Sequence, residues 1–346
     1  MSRRTDTPRP GAFARASAAV IARALRWRLV RAALRYSGRR GPVLADAVTY
    51  RALFSVFAAV LLAFSAAALW LSRDDAAWDA VVHAVDTAVP GLIRTSGGQG
   101  IVDLDEIRAP AGLSITGIVS LAGLIGAALG AISSLRISVR SMAGTARDDV
   151  AWYLVIARNV LLALIIAVTF AGAAALTLAG QFVVDWLAGI LGLPAKSAAV
   201  LWTVRLVSLV IVLALNAVLI AATFRMLSGV PASARSLWSG AVLGGMALLV
   251  LQELSGLFVG GAKANPLLAS FASLLALLLW LNLSTQVILL ASAFIVVSVH
   301  EEHDRVAARF GATTLADAAV RLAEEDVRTA TEALRTARAG AERAAP

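Results

Sequence analysis

Six apolar stretches, near residues 44–71, 113–135, 153–179, 198–224, 237–259 and 267–299, are each long enough to cross a bilayer, which takes about 20 helical residues. No water reaches an unpaired amide inside lipid, so runs of this length are forced into helices, whose hydrogen bonds close within the segment. The other membrane solution, strands of about 10 strictly alternating residues, has no counterpart here. Composition points the same way. Hydrophobic residues make up 59% of the 346 and charged residues 15%, with a mean hydropathy of +0.80, against about 45–50% and 25% in soluble domains. The expected fold is all-α: a polytopic bundle of six transmembrane helices over 44–299. It follows a basic N-terminal segment (1–43) and precedes a charged tail (300–346).

Orientation follows from where the arginines fall. With six spans, one side receives the N-terminus, loops 136–152 and 225–236, and the tail, together carrying 23 Lys/Arg. The opposite side carries 5, and Arg51, Arg158 and Arg205 lie within spans. The positive side faces the cytoplasm, so both ends are expected there, in a bacterial inner membrane. The outer loop 72–112 holds seven acids between Asp74 and Glu106. Arg3, Arg4, Arg9 and Arg15 precede no clean apolar core before Arg40, so the start does not read as a signal peptide.

Residues 12–36 read as a basic amphipathic helix. Ile21, Leu25, Leu29 and Tyr36 share one side, and Arg28, Arg31 and Arg35 share another. Such a helix is expected to lie in the headgroup plane and bind anionic lipid. The net charge of +9 collects beside the first span, where orientation and lipid contact account for it, so nucleic acid is not an expected partner. In the outer loop, Trp78, Val81, Val82, Val85, Val89 and Leu92 make a helical face opposite Asp75, Asp79, His83 and Asp86. A second helix is expected from Asp103 to Arg108. Two roles stand open for them: a cap on the outer mouth, or a plain connector. The tail is expected to be a solvated helix from Leu315 to about Arg338, free to dock a protein partner, with a frayed end over 341–346.

Polar residues within spans are the candidate functional residues, because they are costly there and tend to face the interior or water. Glu253 and Gln252 sit in span five, Asn282 and Gln286 one turn apart in span six, Asn216 in span four, and Arg51 in span one above Asp46. These six line an expected transport cavity, with Arg51, Asn282 and Gln286 as expected partners of Glu253. The amides also have a purely structural reading, as hydrogen bonds between helices, and Arg51 could instead snorkel to the headgroups. Gly126 and Gly130, and Gly240 and Gly244, are GxxxG pairs that fit close helix packing. Span six, from Pro266 to Val299, is too long for a bilayer unless it tilts, breaks or protrudes.

Several chemistries are excluded or disfavoured. The chain has no cysteine, hence no disulfide, thiolate site or cysteine nucleophile. It has no P-loop pattern, so transport would not be driven by ATP hydrolysis in this chain. His300-Glu301-Glu302-His303 lacks the i, i+4 histidine spacing of zinc proteases and reads as a polar collar. No metal, cofactor or ribonuclease activity is expected.

An ordered set of motifs carries a family resemblance. Gly41-Pro42-Val43-Leu44-Ala45 and Thr49-Tyr50-Arg51-Ala52-Leu53-Phe54-Ser55 open span one. Gly100-Ile101-Val102-Asp103-Leu104-Asp105-Glu106-Ile107-Arg108 leads into span two. Val230-Pro231, Leu249-Val250-Leu251-Gln252-Glu253-Leu254 and Ser273 to Ser284 follow. Over roughly 20–300 the chain resembles the YihY/virulence factor BrkB family of inner-membrane proteins. Two positions depart from the family pattern: Arg136 to Met142 after span two, and Ala291-Ser292-Ala293, where relatives often carry Gly-Ala-Glu. The resemblance implies export of a lipid or amphipathic small molecule. A non-transport membrane scaffold or envelope-integrity protein that works through partner binding is the alternative, and a homo-oligomer stays open under either reading.

Overall fold

The structure, a computed structural model, describes residues 21, 23–71, 93–94, 102–103, 115–145, 152–178, 198–262, 266–303 and 314–344. Eight helices are described: α1 (Arg28–Gly38), α2 (Gly41–Leu71), α3 (Ile115–Ala143), α4 (Trp152–Leu178), α5 (Ala198–Leu227), α6 (Ala234–Ala262), α7 (Pro266–His303) and α8 (Leu315–Ala344). Four of them contain stretches long and apolar enough to cross a membrane: Gly41–Val60, Trp202–Leu227, Ala234–Leu254 and Leu274–Glu302. A shorter apolar stretch, Tyr153–Thr169, lies in α4.

The expectation of an all-helical chain needs one amendment. Ile93–Arg94 (β1) and Val102–Asp103 (β2) form a parallel two-residue ladder, pairing Ile93 with Val102 and Arg94 with Asp103. Asp103 is therefore extended, where a helix was expected to begin. The expected helix through Trp78 and Val89 lies outside the described residues, as does the link 304–313.

Helix α7 is the hub. It packs against α1, α2, α3, α5 and α6, and α6 also packs on α5. It runs 38 residues without a break, about 57 Å at 1.5 Å per residue, and starts at a proline, whose missing N–H costs nothing in a first turn. Among the described residues, a set of fully buried apolar side chains lies in the C-terminal halves of α3, α5 and α7. Met142, Val139, Ile220, Phe224, Leu227, Leu289, Ile295 and Val296 are all under 2% exposed. These halves lead to the side read as cytoplasmic.

Glycine makes the close approaches at α6. A side chain at Gly240 would collide with Ile295, and one at Gly244 would meet the Ala291 Cβ at 2.6 Å and the Ile220 Cδ1 at 2.7 Å. Gly245, next to them, faces the Ala217 backbone at 3.0 Å. The other expected pair does not pack: a Cβ at Gly126 or Gly130 would meet nothing within 4 Å. Small-residue spacing offers a close-packing face; only a closely facing helix makes it one, and the space where these two side chains would stand is open among the described residues.

Helix ends are closed by specific bonds. After α3, Gly144 takes a positive φ of 67°. The Gly144 N–H donates to the Ser141 carbonyl at 3.2 Å and the Thr145 N–H to the Arg140 carbonyl at 3.3 Å. This is the paired 5→2 and 6→1 closure of a left-handed C-terminus.

Candidate functional site

A groove of about 310 Å³ runs along the flank of the bundle between α6 and α7. Its walls are apolar: Ala247, Val250, Leu251 and Leu254 from α6, and Leu283, Val287 and Leu290 from α7. Val250 and Leu254 are 52% and 44% exposed, so the groove opens sideways, outward from the helices. Two polar groups line it as well, Gln286 and the phenol of Tyr36.

A hydrogen-bonded polar cluster extends from the groove. Gln286 Nε2 donates to Asn282 Oδ1 at 2.6 Å, and Asn282 Nδ2 donates to Asp46 Oδ1 at 2.7 Å. Asn282 Nδ2 also lies 3.4 Å from Thr49 Oγ1. Asn282 and Gln286 project together because they are one turn apart on α7. Asp46 and Thr49 do so on α2. The Tyr36 hydroxyl is buried without a hydrogen-bond partner among the described residues. Burial pushes its proton affinity up, and the charge of Asp46 adds to the effect. The ring reaches this position because Gly41 has no side chain; a Cβ there would collide with it.

The remaining polar candidates lie in separate places. Asn216 Nδ2 donates to Gln252 Oε1 at 3.2 Å, an amide pair that ties α5 to α6, as the structural reading of span amides requires. Glu253 does not meet Arg51, Asn282 or Gln286. It pairs with Arg205 at 2.7 Å, with both side chains more than half exposed. The cause is the helical turn: Gln252 and Glu253 differ by 100°, so only one of them can face inward. Arg51 Nη1 donates to the Gly130 carbonyl at 3.3 Å.

The three arginines expected to face lipid also make bonds within the bundle. The helix expected over 12–36 is interrupted: the chain turns over 25–27 before α1, and Trp27 is extended. Arg28 Nε and Arg31 Nη2 both donate to Oε2 of Glu301, at 2.8 Å for Arg28. Glu301 is 3% exposed and sits in the last turn of α7. Arg35, 5% exposed, donates to the Met142 carbonyl at 2.7 Å and to Glu325 of α8 at 2.7 Å. Its planar fork therefore closes the carbonyl end of α3, where the helix dipole is negative. Burial lowers the basicity of Arg35, and the charge of Glu325 opposes that. Arg39 reaches Asp326 at 2.7 Å, and Thr329 Oγ1 donates to the Gly144 carbonyl at 3.0 Å. The tail helix is thus docked along one face, and it continues helical to Ala344, beyond the fraying point expected at 341.

The model of the family described as Virulence factor BrkB matches residues 32–313. The chain belongs to the virulence factor BrkB family. That match begins inside α1 and ends just before α8, so the family region holds the groove, the polar cluster and Glu301, while Glu325 lies beyond it. No curated protein and no solved structure matches the chain. Within this BrkB-family chain, Ala291, Ser292 and Ala293 are packed into the core at 1% exposure or less, with Ala291 against Gly244. A carboxylate at Ala293 would therefore be fully buried. The buried carboxylate of α7 is Glu301, two turns further on.

Sequence reasoning missed Tyr36, Glu301 and Glu325 as site residues, and gave Asp46 no role. The 12–36 pattern put Tyr36 on an apolar face; its hydroxyl was the signal. For Glu301 the signal was a buried-side position at the end of a long apolar helix.

Proposed function

We propose that this membrane protein moves a lipid or another amphipathic small molecule along the α6–α7 groove. The observation that carries the reading is the groove's two-part chemistry. An apolar trough open on the flank suits an acyl chain, since apolar walls cost a chain nothing relative to lipid. The polar group would sit at the Tyr36, Gln286, Asn282 and Asp46 end, where hydrogen bonds replace those lost to water. Asp46 makes that end favour donor groups, such as hydroxyls or amines, over bare anions.

We further propose six spans, with α3 and α4 completing the set and both chain ends in the cytoplasm of a bacterial cell. In that frame the polar cluster lies near the middle of the span in α7, and Arg205–Glu253 lies on the outer side of it. The movement needs no nucleotide chemistry from this chain, and we propose no enzymatic role and no ribonuclease activity.

The test is transfer of a fluorescent short-chain lipid across proteoliposomes containing the purified protein. Ala247→Trp fills the trough and is expected to abolish transfer while leaving the melting temperature near wild type. Asp46→Asn is expected to slow it at least severalfold. Wild-type transfer by a stably folded Ala247→Trp protein would reject the groove as the path.

A further inference from the structure

Helix α8 is anchored on one face and bare on the other. Leu322 lies against Gly38, Glu325 binds Arg35, and Thr329 binds Gly144. Turned away from them runs the stripe Ala316, Val320, Ala323, Val327, Ala330, Leu334 and Ala337, every member exposed. Val320, Val327 and Leu334 are 56%, 66% and 50% exposed. The stripe advances by alternating steps of four and three residues. That period of 3.5 is the seam of a coiled coil and not the wider face of a helix resting on a globular body.

We propose that this seam pairs two copies of the chain through an antiparallel α8–α8 contact. In an antiparallel pair, each layer sets a residue of the large row against one of the alanine row. Val320 meets the second copy's Ala337, Ala323 meets its Leu334, and Val327 meets its Ala330. Every layer then holds one branched side chain and one methyl, and the two backbones approach evenly. A parallel pair would alternate layers of two branched residues with layers of two alanines, leaving voids at the alanines. The flanking charges favour the same direction. The antiparallel register sets Asp317 beside the second copy's Arg338 at both ends of the contact. In a parallel pair the flanking positions match Ala319 with Glu324, Asp326 with Thr331 and Ala333 with Arg338, without an opposite-charge pair. The seam is short, so confinement of both copies to one membrane supplies the effective concentration it needs. This pairing is independent of the transport reading.

The cysteine-free chain makes the test direct. Val320→Cys and Ala337→Cys chains carrying different tags are co-expressed, and isolated membranes are oxidised. A disulfide-linked dimer bearing both tags is expected from the mixture. Neither variant alone should link to itself, since the like positions lie about 25 Å apart along an antiparallel pair at 1.5 Å per residue, far beyond disulfide reach. Adding Val327→Glu and Leu334→Glu is expected to reduce the mixed product at least about tenfold with no change in melting temperature. Self-linking by Val320→Cys alone would overturn the antiparallel pairing in favour of a parallel one. No mixed product, or linkage to a different protein, would overturn the pairing altogether.

Discussion

Arg35 binds the closing carbonyls of α3 and a carboxylate on α8 from one buried guanidinium. Removing Glu325 leaves that charge without its counter-ion, a loss of about 2 kcal/mol for a charged hydrogen bond. Glu325→Ala is therefore expected to lower the melting temperature in detergent clearly, and Glu325→Gln, which keeps an acceptor oxygen, by less. Equal melting of wild type and Glu325→Ala would show that α8 does not bear on the bundle. Glu253 makes the opposite case. Its partner Arg205 is as exposed as it is, and the pair lies away from the groove and the polar cluster. Glu253→Gln is expected to leave both melting and lipid transfer near wild type, and a transfer-dead but folded variant would move the path to that side of the bundle. None of these pairings was legible in the sequence. The spacing showed that Arg28, Arg31 and Arg35 share a face, but their acids stand 270 to 290 residues away. A local period says what a face is made of and not what covers it.

At the scale of the helix, the reading went much further. The apolar runs predicted near 153–179 and 267–299 appear as Trp152–Leu178 and Pro266–His303, because apolar length alone forces the conformation. The two GxxxG pairs show the limit. They are alike in sequence, yet Gly240 and Gly244 lie against α7 and α5 while a Cβ at Gly126 or Gly130 would meet no described atom within 4 Å. Gly244→Ala is expected to cost about 1–3 kcal/mol, the usual cost of overpacking, and Gly126→Ala to be neutral or mildly stabilising through better helix propensity. Thermal unfolding of the two variants side by side checks this; equal losses would mean that Gly126 is also packed.

For the molecule as a whole, the arginine count predicts the sidedness, and single cysteines read it out. Cysteines at Ser96 and Ser197 are expected to react with an impermeant reagent added outside intact cells. One at Thr313 should react only after permeabilisation. Labelling of Thr313 from outside would overturn either the span number or the orientation. The candidate groove could not be foreseen in this way. Its wall residues, such as Leu251 and Leu283, are indistinguishable in the sequence from any other lipid-facing leucine, and only the packing of α6 on α7 leaves a trough between them.

The docking of α8 onto α1 also sets an order of events during synthesis. Arg35 waits for a partner made 290 residues later. At about 5–20 residues per second, that is an interval of roughly 15–60 s. During it the new N-terminal arginines have only lipid headgroups and solvent to neutralise them. Completion of the last helix thus changes the state of the first, and a chain released early carries a visible mark of being unfinished. A nascent product cut short before Leu315 should show cleavage at Arg35 and Arg39, the two arginines that α8 covers, by added trypsin that the full-length chain resists.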